Sequence, residues 1–421
     1  MRLYAQSDRS LIRAGASSTR YVRLSFTLPE ARRTGGRLPI NVALVLDRSG
    51  SMAGEKIALA RGAAREAIDL LRSDDRFAVV VYDDVVDLVA ESASATAEAR
   101  RQAHDTLART DARGATDLAG GWLRGCEQVG LSLREDTIGR CLLLTDGLAN
   151  RGITDPAELF RHAEELRARG VSTSTFGVGA DFDERLLKGI AERSGGRFYF
   201  LEQPRQIPDI LAGEMGEALE IVARGATLTA ELPPDASIEV LGGFTLRQAG
   251  GAARIDLGDL VSRQELEVVL ALRFPPGAEG RRVRAGFCFG DLDGAVDATE
   301  AVLEWTYASH AANDRQPRER VVDRSVARAY AGRARAAATE LNRAHDFDGA
   351  RRVLHGTARK IRQYAGSDSE LRSLARELER QANELSGRAL NAMELKQRHF
   401  AEYALANMRE PDGLAKRAPR R

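Results

Sequence analysis

The sequence predicts an α/β fold: a doubly wound, mostly parallel six-stranded sheet, inserted in an antiparallel β-sandwich and followed by a C-terminal helical region. Three observations favour this fold. Short apolar runs alternate with segments of helical periodicity between residues 39 and 223. Short alternating segments, broken by pairs of Pro or Gly, follow as far as residue 310. Apolar residues then recur at helical spacing.

These changes of pattern divide the chain of 421 residues into five predicted parts. They are the N-terminal sandwich strands (1–38), the α/β domain (39–223), the rest of the sandwich (224–310), the helical region (311–408) and a basic tail expected to be disordered (409–421). Residues 21–28 alternate apolar and polar side chains, which predicts one half-exposed strand ahead of the α/β domain. We therefore expect the α/β domain to lie between the first and second strands of the sandwich.

The α/β domain begins with the apolar run at residues 42–46, which suits a central strand buried on both faces. Residues 55–71 follow with apolar side chains at helical spacing. The antiparallel return predicted at 85–89 would form a sheet edge. The remaining predicted elements are strands at 77–82 and 85–89, helices at 96–108 and 116–129, strand 139–145, helix 156–169, strand 171–178, helix 183–194, strand 197–201 and helix 207–222.

Polar side chains follow two of the predicted buried strands. Asp47, Ser49 and Ser51 leave the first central strand, and Asp146 leaves the second within a Thr-Asp-Gly sequence. Between them, Thr116 lies in a Gly-Ala-Thr-Asp-Leu loop. Open α/β sheets bind ligands at the carboxyl ends of their strands. Small, hard oxygen ligands favour Mg²⁺ or Mn²⁺ over zinc.

These three motifs, in this order, resemble the metal-ion-dependent adhesion site (MIDAS) of von Willebrand factor type A (VWA) domains, as found in bacterial cytoplasmic proteins. The resemblance covers residues 39–222. It implies that an Asp or Glu of a partner protein completes the coordination of a bound metal, and that the partner is a AAA+ ATPase or a signalling protein. The implied metal ligands, direct or through water, are Asp47, Ser49, Ser51, Thr116 and Asp146.

Two alternatives to metal-dependent protein binding remain at this site. A catalytic centre would also combine carboxylates with a metal. However, no Asp-x-Asp replaces the Asp-x-Ser of the first loop, and the sequence lacks a P-loop. Its six histidines lie outside the motif loops, and no lysine accompanies these loops as a general acid. We therefore expect a protein that is not an enzyme. In the second alternative, the same oxygens cap helices and turns without a metal.

Arg48 and Asn150 lie on the loops around the site. Arg48 could strengthen the attraction of an acidic partner. A charged residue in a polar loop is more often exposed to solvent, and this is our expectation for Arg48.

The charge of the chain is unevenly distributed. Residues 311–421 carry 24 Lys and Arg against 15 Asp and Glu, a net +9, whereas the whole chain carries +1. We expect the helices of this region to pack on each other or on the sandwich. A scaffold that binds partners through this region, with a structural metal site, is the competing function. RNA association, as in ring-shaped proteins that carry a VWA domain, ranks below both, because the sequence lacks their helical-repeat ring. Salt-dependent RNA binding through the tail would favour it.

The sequence also favours a cytoplasmic protein without a membrane partner. No apolar run approaches the roughly 18 residues of a membrane span. Residues 1–8 lack the apolar centre of a signal peptide. Cys126, Cys141 and Cys288 form no CxxC pair and are expected to be free thiols.

Overall fold

The N-terminal part contributes three strands, rather than the single strand expected from residues 21–28. A computed structural model of the protein describes residues 1–31, 37–249 and 252–419. The N-terminal strands are β1 Tyr4–Ser7, β2 Leu11–Arg13 and β3 Ser18–Thr27. Every second residue of β3 is buried, in agreement with its alternating sequence.

The described part of the α/β domain contains a six-stranded sheet. Its strands are β4 Ile40–Asp47, β5 Arg76–Tyr82, β6 Val86–Ser94, β7 Ile138–Thr145, β8 Val171–Val178 and β9 Phe198–Leu201. They lie in the order β6-β5-β4-β7-β8-β9. The β5–β6 pair is antiparallel and the other four pairs are parallel. The predicted doubly wound sheet with an antiparallel edge strand is therefore confirmed, and its central strand β4 is buried throughout.

Helices cover both faces of this sheet. They are α1 Glu55–Asp69, α2 Ala97–Leu107, α3 Leu118–Gly130, α4 Pro156–Ala168, α5 Glu184–Ser194 and α6 Ile207–Ala218. One apolar core joins α1, α2 and α6 to one face, and a second core joins α3, α4 and α5 to the other. The prediction that the last helix reaches residue 222 is wrong, because Ile221 already belongs to a strand and pairs with Val261.

Two further sheets pack on a shared apolar core as a β-sandwich. Their remaining strands are β10 Ile221–Glu231, β11 Ser237–Val240, β12 Thr245–Ala249, β13 Ala252–Val261, β14 Glu265–Phe274, β15 Arg282–Gly290 and β16 Thr299–Ala308. The strand orders are β1-β3-β14-β11 and β12-β13-β10-β15-β16-β2. The predicted antiparallel arrangement is correct except for β2, which pairs parallel with β16. The α/β domain is inserted between β3 and β10, so it follows the third sandwich strand rather than the first.

The C-terminal region is helical. Its helices are α7 His310–Arg315, α8 Arg320–Arg343, α9 Phe347–Ala365, α10 Ser369–Glu384 and α11 Ala392–Ala406. An apolar core joins α8, α9 and α10, while Val322 and Val326 of α8 contact the sandwich. Phe400 and Tyr403 of α11 enter a core of the α/β domain, a contact that the sequence did not predict. None of the described helices is long and apolar enough to cross a membrane.

The prediction of a disordered tail is wrong for residues 409–419, which we name the C-terminal segment; the last two residues lie outside the described part of the chain. Leu414 packs on helix α6. Arg409 Nη2 donates a hydrogen bond of 2.6 Å to Glu217 Oε2 of α6, and the backbone N–H of Ala415 donates to the same carboxylate. The positive charge that predicted a solvated tail is thus partly paired with a buried glutamate.

Candidate metal centre

The first candidate loop leaves the buried end of strand β4. Asp47 is the last residue of that strand and is fully buried. Its Oδ1 accepts a hydrogen bond of 2.7 Å from the backbone N–H of Ser49, which turns the chain sharply at the end of the strand. A short 3₁₀ turn at Gly50–Met52 follows and leads towards α1. The hydroxyl oxygens of Ser49 and Ser51 lie 3.1 Å apart.

The loop after β7 meets the first loop, because β4 and β7 are neighbouring parallel strands. Thr145 Oγ1 donates a hydrogen bond of 2.6 Å to Asp47 Oδ2. Ser51 Oγ donates one of the same length to Asp146 Oδ1. Asp146 is fully buried, like Asp47. The two carboxylates are therefore each fixed by a hydroxyl from the opposite loop.

Thr116 lies on a third loop, just before α3. A Cβ atom placed on Gly147 would lie 3.5 Å from Thr116 Oγ1 and 3.7 Å from Ser51 Oγ, so the absence of a side chain at position 147 leaves space beside both hydroxyls. Asn150 Oδ1 accepts a hydrogen bond of 3.0 Å from the Thr116 backbone N–H and holds this loop in place. A backbone hydrogen bond of 3.1 Å from Gly50 to Gly114 joins it to the first loop.

The structure thus brings together the side chains predicted from the sequence, namely Asp47, Ser49, Ser51, Thr116 and Asp146. No group of three or more His, Cys, Asp or Glu side chains suited to a metal occurs among the described residues. A cation at this place would therefore depend on hydroxyl oxygens as well as on two carboxylates. This all-oxygen set fits a hard divalent cation such as Mg²⁺.

The electrostatics of the site favour a cation as well. Burial raises the pKa of Asp47 to about 6, although hydrogen bonds from Thr145 and Ser49 lower it, and the negative charge of Asp146 raises it further. A carboxylate in this position is stabilised by added positive charge. The arrangement therefore leaves negative charge that the surrounding hydroxyls do not neutralise.

Lys56, which was not among the residues predicted from the sequence, is the one described cation paired with these carboxylates. Its ammonium group forms an ion pair with Asp146 Oδ2 and donates a hydrogen bond of 3.3 Å to the backbone oxygen of Ser51. The expectation that no lysine accompanies the loops as a general acid therefore overlooked a lysine that lies against one of the two carboxylates. The signal was a lysine in the first turn of the helix that follows the Asp-x-Ser-x-Ser loop.

The expectation that Arg48 is exposed to solvent is also wrong. Its side chain is 9% exposed and pairs with Asp83 at 3.0 Å and with Asp87. Arg113 pairs with the same two carboxylates, at 2.7 and 3.3 Å. Arg48 therefore fixes the base of the first loop, and its charge is already paired within the chain.

Comparisons with known proteins match the α/β part of the chain to a known domain. A family model described as the von Willebrand factor type A domain matches residues 41–213. The chain contains a VWA domain. The matched residues include β4 to β9 except for the first residue of β4, and they include the loops that carry all five candidate ligands.

Two solved structures resemble the chain over nearly its whole length. A VWA protein from Catenulispora acidiphila aligns with 99% of this chain and 97% of its own, with a TM-score of 0.72 and 18% identity. The ArnB paralog VWA2 from Sulfolobus acidocaldarius aligns with 96% of this chain and 98% of its own, with a TM-score of 0.59 and 15% identity. At these identities the likeness concerns the fold, and it extends beyond the VWA domain to the sandwich and the helices.

Proteins related in sequence match smaller parts of this chain than the two solved structures do. The chain is 27% identical to the uncharacterized protein sll0103 of Synechocystis over 66% of its length and 67% of the relative. It is 31% identical to the uncharacterized protein YfbK of Escherichia coli over 46% of its length, but this covers 34% of that relative. The human inter-alpha-trypsin inhibitor heavy chain H4 matches at 29% over 38% of this chain and 18% of its own. The chain therefore spans from less than a fifth to about two thirds of these relatives.

Proposed function

We propose that this chain is a non-enzymatic, metal-dependent protein-binding module. VWA domains commonly serve as protein-interaction modules that use a divalent metal at a MIDAS. The observation that carries the proposal is the meeting of three loops, two of them at the carboxyl ends of β4 and β7, with oxygen-bearing side chains on each. The residues that would hold Mg²⁺, or Mn²⁺ in its place, are Asp47, Ser49, Ser51, Thr116 and Asp146.

A metal bound there would have an open coordination position, which an Asp or Glu carboxylate of a partner protein would fill. The residues of this chain would prepare that position. Asp47 orients Ser49 through its backbone N–H, and Asp146 orients the hydroxyl of Ser51. Thr116 adds a hydroxyl from the neighbouring loop. Because these contacts exist within the folded chain, little reorganisation would accompany binding of the metal.

The partner in this proposal is an acidic surface of another protein. The family resemblance favours a AAA+ ATPase or a signalling protein among such partners. Neither a membrane nor a nucleic acid is required, since a single carboxylate is enough to complete the coordination. The partner contact should therefore depend on the metal.

The metal site is tested by isothermal titration calorimetry of Mg²⁺ and Mn²⁺ into the full chain. Asp146→Ala removes the carboxylate that fixes Ser51, and we expect affinity for Mg²⁺ to fall by about a hundredfold. Asp84→Ala is the matched control, because Asp84 is an exposed carboxylate on the neighbouring loop. Circular dichroism should show that both variants fold. Unchanged metal affinity in Asp146→Ala would refute the site.

The binding function is tested by affinity capture from a lysate of the native source, followed by mass spectrometry. Three samples are compared: the intact chain in Mg²⁺, the intact chain in chelator, and Asp47→Ala in Mg²⁺. A protein retained in the first sample alone would support metal-bridged recognition and would identify the partner. Equal retention in all three would contradict the proposal and would place binding elsewhere on the chain.

A further inference from the structure

Helix α9 carries a row of three arginines and one histidine on its outer face. Arg351, His355, Arg359 and Arg362 recur at three- and four-residue spacing, which places them on one side of a helix over about 16 Å. The helix as a whole contains five Lys and Arg against one Asp. Its opposite side is apolar and belongs to the core shared with α8 and α10. The cationic face is therefore turned away from the helical core.

The neighbouring helix α8 shows what arginines with a structural role do in this protein. All six of its arginines form ion pairs within the chain, for example Arg324 with Asp368 at 2.9 Å and Arg335 with Glu377 at 2.9 Å. By contrast, Arg351 and Arg359 of α9 are exposed and form no ion pair with any described residue. Arg352 and Arg362 pair with Asp346 and Glu379, so the charge that stays unpaired among the described residues is that of Arg351, Arg359 and Lys360.

The cationic face also borders an open depression of about 700 Å³ that runs along α9. Glu379 of α10 lies at its edge and pairs with Arg362 at 2.6 Å. Gly356 lies in the middle of the row, and a Cβ atom placed on it would meet no other atom within 4 Å. A partner backbone can therefore approach the helix closely between Arg352 and Arg359.

From this charge and shape we infer that the outer face of α9 is a second docking surface, which binds an acidic segment of a protein partner without a metal. An acidic peptide matches the row of guanidinium groups by charge, and these groups bind carboxylates with two parallel hydrogen bonds. Asp346 and Asp348 are exposed at the amino end of the same helix. A peptide can offer them a basic residue, whereas a nucleic acid backbone would face them with negative charge alone.

The inference is tested with the full chain and two fluorescein-labelled probes of equal charge, poly-L-glutamate and poly-uridylate. Binding is measured by fluorescence anisotropy, in Mg²⁺ and again in EDTA. The double variant Arg351→Gln/Arg359→Gln should bind poly-L-glutamate about tenfold more weakly than the unaltered chain. The matched control is Arg101→Gln/Arg109→Gln, which removes two exposed arginines at α2 and lowers the net charge equally.

The inference predicts that EDTA leaves this binding intact, because the surface lies outside the metal site. Binding of poly-L-glutamate that disappears in EDTA would overturn it, since the probe would then be held at the metal centre. Equal losses in the two double variants would also overturn it, because they would show a nonspecific effect of net charge. Tighter binding of poly-uridylate that depends on Arg351 and Arg359 would overturn it in favour of a nucleic acid.

Discussion

The two ends of the six-stranded sheet each contain a pair of buried carboxylates, in opposite surroundings. At the amino ends of the strands, Glu214 and Glu217 of α6 are 2% exposed. Arg197 pairs with Glu214 at 3.0 Å and also with Glu217, while Arg409 of the C-terminal segment pairs with Glu217 at 2.6 Å. Here buried anions are matched by buried guanidinium groups. The pair between Arg409 and Glu217 holds the C-terminal segment on the α/β domain.

At the carboxyl ends, Asp47 and Asp146 are equally buried, but their partners are hydroxyl groups and, for Asp146, the partly exposed Lys56. The pKa values show the difference. Burial raises the pKa of Glu214, yet Arg197 and the hydroxyl of Ser174 outweigh it and bring it below the ordinary value. Burial raises the pKa of Asp47 to about 6, and its hydrogen bonds do not reverse the shift. Equal burial therefore has opposite consequences: a guanidinium group stabilises the charged form of Glu214, whereas no charged side chain among the described residues does this for Asp47.

The largest loss of stability should follow from removing a carboxylate at the arginine-matched end of the sheet. Glu217→Ala leaves Arg197 and Arg409 buried without the carboxylate that they share. We expect the free energy of unfolding to fall by about 3 kcal/mol, because a buried charge that loses its partner is strongly destabilising. Urea unfolding followed by circular dichroism measures this change.

Glu220→Ala provides the control for Glu217. Glu220 lies just beyond the end of α6 and pairs with Arg417, but its side chain is 41% exposed. Its loss should lower stability by less than about 1 kcal/mol. Similar losses in the two variants would show that burial does not distinguish these pairs.

Removing the C-terminal segment should have the next largest effect. A chain ending at residue 408 loses Arg409, the packing of Leu414 on α6 and the hydrogen bond from Ala415. We expect the free energy of unfolding to fall by about 2 kcal/mol, measured by thermal denaturation. A chain ending at residue 418 keeps these contacts and should differ by less than about 0.5 kcal/mol. A chain ending at 408 that melts like the full chain would restore the sequence expectation of a solvated tail.

The arrangement of the hydroxyl-lined end of the sheet could be predicted from the sequence far better than that of the arginine-matched end, for a physical reason. Buried strands and the polar loops after them are local patterns, and parallel pairing necessarily brings the carboxyl ends of β4 and β7 together. The contacts of Arg409 and Arg48 are not local. A basic residue in a loop or tail has the same sequence signature whether water or a buried carboxylate surrounds it. Glu217 lies 192 residues before Arg409, so no spacing rule links them.

Lys56 is an exception at the hydroxyl-lined end of the sheet, because it places a cation beside a buried carboxylate. Its ammonium group lies against the Asp146 carboxylate and is 26% exposed. A divalent cation bound by Asp146 would be repelled by this charge, so Lys56→Gln should raise the affinity for Mg²⁺ about threefold to tenfold in calorimetry.

Lys188→Gln is the control for Lys56, since Lys188 is 30% exposed and pairs with Glu192 on its own helix, and it should leave the Mg²⁺ affinity unchanged. A loss of affinity in Lys56→Gln would instead mean that the lysine orients Asp146 for the metal. A cationic side chain would then hold a buried carboxylate in place at both ends of the sheet.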